Sequence, residues 1–147
     1  MKQTKKTALF LVSIILLLCG ACGQNKQNVS GDDKNLQFLT DIVEEANKEF
    51  PQEAGFGITV TKAIIDGDYM VYTAECDEDV LEMDLMRQNK SNMYDAIKVS
   101  LASSDPGLKM LRKACINADK GIAYRYEGDQ SGDSFIIRIP CSELKQM

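Results

Sequence analysis

The chain has 147 residues, 44% hydrophobic and 27% charged, with a formal net charge of −5 and no histidine or tryptophan. That is enough for one domain with its own core. The missing histidine excludes Ser-His-Asp triads, Cys-His dyads, HExxH zinc sites and the usual general base near neutral pH.

The first residues read as an address. Lys2, Lys5 and Lys6 form a basic start, and Ala8 to Leu18 is an apolar run broken by Ser13. The run is shorter than the ~20 residues that a membrane-spanning helix needs. It closes on Leu18-Cys19-Gly20-Ala21-Cys22-Gly23.

Basic start, apolar run and small residues before a cysteine together resemble the bacterial lipoprotein signal and its lipobox. Ala21 and Gly20 suit the two positions before the cysteine; Cys19 stands where leucine is usual. Leu18 is too large to precede a cleavage at Cys19. The resemblance implies a leader over residues 1–21, removed on maturation, and Cys22 as the new first residue. Cys22 would carry a diacylglyceryl thioether and an N-acyl chain such as palmitate. Two or more chains make anchoring stable. Gly23 at the next position implies sorting to the outer membrane, facing the periplasm, with surface display as the alternative.

Removing three lysines with the leader leaves 14 basic residues against 22 acidic ones. Such an excess repels phosphate backbones and anionic bilayers, so nucleic acid is excluded and attachment to a membrane must come from lipid.

Residues 22–35 are polar and read as a flexible tether. The Asn28-Val29-Ser30 sequon is a chance match in such a protein. Residues 36–147 read as a single globular domain. Leu36, Leu39, Ile42, Val43, Ala46 and Phe50 recur at helical spacing, and Pro51 stops the helix.

Residues 55–66 are rich in β-branched side chains, and Asp66-Gly67 is a hairpin turn signal leading into Tyr69 to Cys76. A two-residue turn there places Ile65 opposite Asp68, Lys62 opposite Val71 and Val60 opposite Thr73. The acids from Glu75 to Asp84 contain no glycine, so they suit a helix N-terminus better than a calcium loop.

Met86, Met93, Ile97 and Leu101 share one helical face, which Asn89 to Asn92 weaken. Such a methionine stripe is core first and an adaptable groove second. Asp105-Pro106 predicts an N-cap and first helical residue, opening a helix to about Ala118. Residues 121–127 and 135–140 form a second hairpin. Its register pairs Tyr126 with Phe135, Tyr124 with Ile137 and Ile122 with Ile139. Asp129, Ser131 and Asp133 imitate a calcium loop, but Ser134 and Pro140 stand where glycine and glutamate are required.

Three cysteines fall in the body: Cys76, Cys115 and Cys141. The hairpin register brings Cys141 opposite Lys120, so Cys115 and Cys141 are the best-placed disulfide pair. A bridge over 26 residues is worth about 3 kcal/mol on loop entropy. Cys76 with either partner, or three buried thiols, are the other readings. No histidine activates any of them as a nucleophile.

The pattern from Gly121-Ile-x-Tyr-x-Tyr-x-Gly128 through Ile137-x-Ile139, flanked by Cys115 and Cys141, resembles small secreted bacterial lipoproteins of unassigned function. That resemblance carries over no functional residue.

The fold expected is α+β: a small antiparallel sheet of two hairpins against about three helices, in the order α-β-β-α-α-β-β. The function expected is non-enzymatic: a membrane-anchored envelope module that binds an envelope protein or acts as an accessory, without cofactor or metal. Sheet edges offer strand addition as a docking mode. Two readings compete with it. One is a hydrolase or glycan-acting enzyme with paired carboxylates in a deep pocket. The other is a small-molecule or lipid binder with an apolar cavity.

Overall fold

The computed structural model describes residues 31–147. The leader, the lipidation residue Cys22, the sequon and the first part of the tether lie outside the described residues.

Helix α1 spans Gly31–Glu49 and buries Leu39, Ile42, Val43 and Ala46. It starts five residues before the expected Leu36. Asp32 and Asp33 occupy its first turn and suit the positive end of the helix dipole.

Three strands follow: β1 (Gln52–Gly55), β2 (Ile58–Asp66) and β3 (Tyr69–Cys76). Helices α2 (Met83–Gln88), α3 (Lys90–Leu101) and α4 (Pro106–Asn117) carry the chain across to β4 (Gly121–Gly128) and β5 (Ser134–Ile139). A last turn, α5 (Cys141–Leu144), closes the fold. The two middle helices divide at Asn89, where the asparagine-rich stretch weakens the pattern. Helix α4 opens as its sequence predicts: Asp105 accepts a hydrogen bond from Leu108 N at 2.9 Å, with Pro106 in the first turn.

The class is α+β, and the sheet has five strands in the order β1-β2-β3-β4-β5. It is mixed rather than wholly antiparallel, because β3 and β4 run parallel. The long helical crossover between them returns the chain to the end of the sheet at which β3 began, as a parallel pair requires. Strand β1 carries no β-branched run and buries only Ala54, so periodicity does not reveal it.

The β4–β5 register is the expected one, with Tyr126 opposite Phe135, Tyr124 opposite Ile137 and Ile122 opposite Ile139. The β2–β3 register differs by two residues. Asp66 pairs with Tyr69, so Gly67-Asp68 forms the turn and Ile64, not Lys62, faces Val71. Gly67 has φ 55°, which places the residue of left-handed backbone first in the turn. A shift between Val60 and Lys62 leaves Thr61 as an extra residue in β2. Val60 and Ala63 therefore both face the core despite their odd spacing.

One face of the sheet meets the helices. Leu39, Leu101, Leu108 and Leu111 pack there against Met70, Ile122, Tyr126 and Ile137, all fully buried. Tyr72 stacks on Tyr124 at 5.5 Å between ring centres, and Tyr126 stacks on Phe135 at 5.1 Å. On the opposite face Val71, Thr73 and Ala123 are buried without joining that core cluster. None of the described helices lies over them.

Candidate functional site

The concave feature of interest lies at the end of the sheet where β1 turns into β2. Three successive residues there have left-handed backbone: Gly55 at φ 87°, Phe56 at 52° and Gly57 at 74°. Glycine adopts this readily and phenylalanine does not. The turn is tied down by Asp77 N, which donates to Gly57 O at 2.7 Å. A side chain at Gly57 would press on Val80, whose Cβ lies 3.2 Å from the site of its Cβ. The result holds the Phe56 ring outward, 50% exposed.

Beside this turn lies a cleft of about 350 Å³ whose lining includes Glu53, Phe56, Thr59, Glu75, Asp77 and Asp129. Four of the nine lining residues are carboxylates. The cleft attracts cations and offers hydrogen-bond acceptors. Among the described residues, no group of three histidine, cysteine, aspartate or glutamate side chains is arranged to hold a metal ion.

The far wall of the cleft is fixed by a clamp between two loops. The Glu78 carboxylate accepts from Gln130 N at 2.7 Å, Ser131 N at 2.6 Å and Ser131 Oγ at 2.7 Å. In return Glu78 N donates to Asp129 Oδ1 at 3.0 Å. These donors hold the Glu78 carboxyl below its ordinary value, the Ser131 backbone N–H foremost. Gly128 lets the carboxylate come this close: a Cβ there would lie 2.6 Å from the carboxyl carbon. Asp133, next in the loop, pairs with Arg87 at 2.5 Å. Ser131 and Asp133 are thus engaged with Glu78 and Arg87.

At the opposite end of the fold, Tyr94 donates to Glu143 at 2.5 Å and Lys98 pairs with the same carboxylate at 2.8 Å. This fastens α5 to α3. The carboxyls of Glu78, Asp119, Asp133 and Glu143 are all lowered, each by donors or cations beside it.

The cysteines are all free thiols in this structure. Cys115 is buried on α4, and burial pushes it up to about 12, with the charge of Cys141 adding to the shift. Cys141 is half-buried at the start of α5 and is raised by burial and by its hydrogen bond to Asp119. Cys76 is buried and raised to about 11, chiefly by desolvation.

Sequence reasoning missed the cleft because it missed β1. The available signal was Gly55-Phe56-Gly57, an aromatic between two turn-forming residues. The clamp is out of reach of local pattern, since Glu78 and Ser131 lie 53 positions apart.

A helix-backed, five-stranded mixed α+β sheet is a shared architecture. The chain is similar to a crystal structure from Pseudomonas aeruginosa described as that of a candidate secreted protein. The TM-score is 0.62 at 13% identity, over 80% of this chain and 99% of that one. At that identity the likeness is one of fold. No family model matches the chain, and no curated protein matches it either. No described helix is long and apolar enough to cross a membrane.

Proposed function

We propose that the chain is a lipid-anchored bacterial envelope protein whose α+β domain is a non-catalytic binding or accessory module. The observation that carries this reading is Gly20-Ala21-Cys22 at the end of a short apolar run. The fold, shared with a protein described as a candidate secreted one, is consistent with a place outside the cytoplasm. The absence of histidine, the usual general base near neutral pH, supports a module that binds. Gly23 favours the outer membrane, facing the periplasm. The test is Cys22→Ser, followed by cell fractionation and labelling with palmitate. Wild type should label and sediment with the outer membrane, and the variant should do neither. A variant that still sediments with membranes would overturn the anchor.

In an oxidising compartment this reading joins Cys115 to Cys141. Each thiol gives up a proton, and the two electrons pass to a disulfide oxidant of that compartment. Peptide mapping without reductant should find the two cysteines linked and Cys76 free. Three alkylatable thiols in protein taken from the envelope would refute the bridge.

The four carboxylates of the cleft are the observation that favours a second reading, a glycan-acting enzyme. Under that reading Glu75→Gln or Asp77→Asn abolishes release of sugars from envelope glycans. Under the leading one, wild type releases none.

A further inference from the structure

The face of the sheet away from the described helices carries a second feature, a row of cations across its strands. Lys62 on β2 pairs with Thr73 on β3, and Thr73 pairs in turn with Arg125 on β4. Neighbouring strands lie roughly 4.8 Å apart, so the two cations flank Thr73 with their Cα atoms roughly 10 Å apart. Arg138, on β5, stands opposite Ala123, two residues before Arg125 on β4, and so on the same face. The arms of Lys62 and Arg125 are long enough to reach over the threonine between them.

Acids stand at both ends of this row, Asp66 at one and Glu75 and Glu127 at the other, but none hydrogen-bonds the three cations. Among the described residues, no hydrogen bond or ion pair engages Lys62. Arg125 approaches Asp66 only to 3.9 Å, beyond hydrogen-bond distance. Arg138 lies over the Tyr69 ring, 5.9 Å from its centre. Arg87, by contrast, is held by both Asp84 and Asp133.

The independent observation is Thr73 itself. It is 2% exposed, and its Oγ1 is buried with no hydrogen-bond partner. A buried hydroxyl without a partner costs stability. Alternation along β3 turns this one toward the face that holds Lys62 and Arg125, away from Tyr72 and Ala74 in the core.

We propose that Lys62, Thr73 and Arg125 form a binding site for a phosphate group on the face of the sheet away from the described helices, with Arg138, over the Tyr69 ring, adding positive charge at its border. Arginine supplies paired donors that match a phosphate, lysine adds a point charge, and the threonine hydroxyl donates from the floor. Glu75 and Glu127 lie one step further along the same face, toward the cleft. Their carboxylates would attract an ammonium attached to the phosphate. The phosphate can come from a free phosphate or from a phosphodiester headgroup.

The test titrates the full chain, in neutral detergent, with inorganic phosphate and separately with glycerophosphoethanolamine, followed by calorimetry. Saturable, salt-sensitive binding of at least one probe is expected. Tighter binding of inorganic phosphate identifies a free phosphate as the source, and tighter binding of the diester identifies a headgroup. The double variant Lys62→Gln, Arg125→Gln should lose at least tenfold in affinity, and Lys109→Gln on α4 should lose nothing. Thr73→Val separates binding from folding. It should weaken phosphate several-fold while the melting temperature holds or rises, because the unpaired hydroxyl is gone. No saturable binding of either probe overturns the proposal, as does affinity unchanged in the double variant.

Discussion

The two hairpins are built on opposite plans. Hairpin β4–β5 is held from within. Its register runs unbroken from Ile122 opposite Ile139 to Glu127 opposite Ser134, and its core face is a ladder of aromatic and β-branched pairs. Hairpin β2–β3 is held from without. Strand β1 is four residues long and pairs with β2 only as far as Val60. Beyond that point no described strand lies beside the outer edge of β2. Asn47 of α1 takes the place of one: its Oδ1 accepts from Ala63 N at 2.8 Å, and its Nδ2 donates to Ala63 O at 2.7 Å. A side-chain amide thus closes a sheet edge that would otherwise be open for pairing. One hairpin follows from its own residues, and the other needs a helix sixteen positions away.

The largest effect on this comparison comes from the self-contained hairpin. Tyr126 is the largest of the fully buried side chains. Tyr126→Ala removes the stack on Phe135 and leaves a cavity, for a loss of about 3–5 kcal/mol by urea unfolding. Tyr126→Phe is the control. The Tyr126 hydroxyl is buried without a partner, so removing it should cost nothing or raise stability slightly. If the two substitutions cost the same, the ring is not what holds the pair.

Asn47→Ala tests the other plan. It removes two hydrogen bonds and strands the Ala63 N–H and C=O, for a loss of about 2 kcal/mol. The diagnostic readout is local. Amide exchange at Ala63 should accelerate strongly, while exchange in β4 and β5 changes only as far as global stability does. A uniform acceleration across both hairpins would show that the amide supports the whole core and not the β2 edge. Gly67→Ala comes next. The turn backbone has φ 55° and nothing within 4 Å of the added methyl, so the cost is conformational alone. It should be about 1 kcal/mol.

The same contrast explains what could be read from residues alone. The β4–β5 register was legible because each core-facing position from Ile122 to Tyr126 has an apolar partner at one spacing only. The β2–β3 register was misread by two residues because Asp66-Gly67 is a stronger turn signal than Gly67-Asp68, and a shift of two leaves every side chain on its own face. Alternation therefore cannot correct the choice. The Thr61 bulge was hidden for a related reason: two β-branched runs look continuous whether or not a residue is skipped. Asp105-Pro106 was legible because capping is local. Strand β1, the acid-lined cleft and the Asn47 bridge were not, since each depends on segments that meet only in the folded chain. The phosphate row required both registers: Lys62, Thr73 and Arg125 align only once β3 is known to run parallel to β4.

The smallest predicted effect concerns the loop that closes hairpin β4–β5, the one place where that hairpin too depends on a distant residue. Glu78 bonds the backbone of Gln130 and Ser131 only as a carboxylate, since a protonated carboxyl would accept these bonds more weakly. Its pKa is lowered in the folded protein from an ordinary 4.5. A lowered folded value means that the stabilisation is complete above the unfolded pKa and lost as pH falls through the folded one. Wild type and Glu78→Gln should therefore differ in stability at pH 7 and converge as pH drops below about 4.5. The variant retains an oxygen that can accept and loses only the charge, and the group is exposed enough for solvent to screen it. The gap at pH 7 should accordingly be smaller than that of Gly67→Ala. Protection of the Ser131 amide, taken relative to its intrinsic exchange rate at each pH, should fall with the same pH profile in wild type and show no such step in the variant. A stability gap that stays constant down to pH 3 would mean that Glu78 holds the loop by shape and not by charge, and that the β4–β5 hairpin is self-sufficient to its tip.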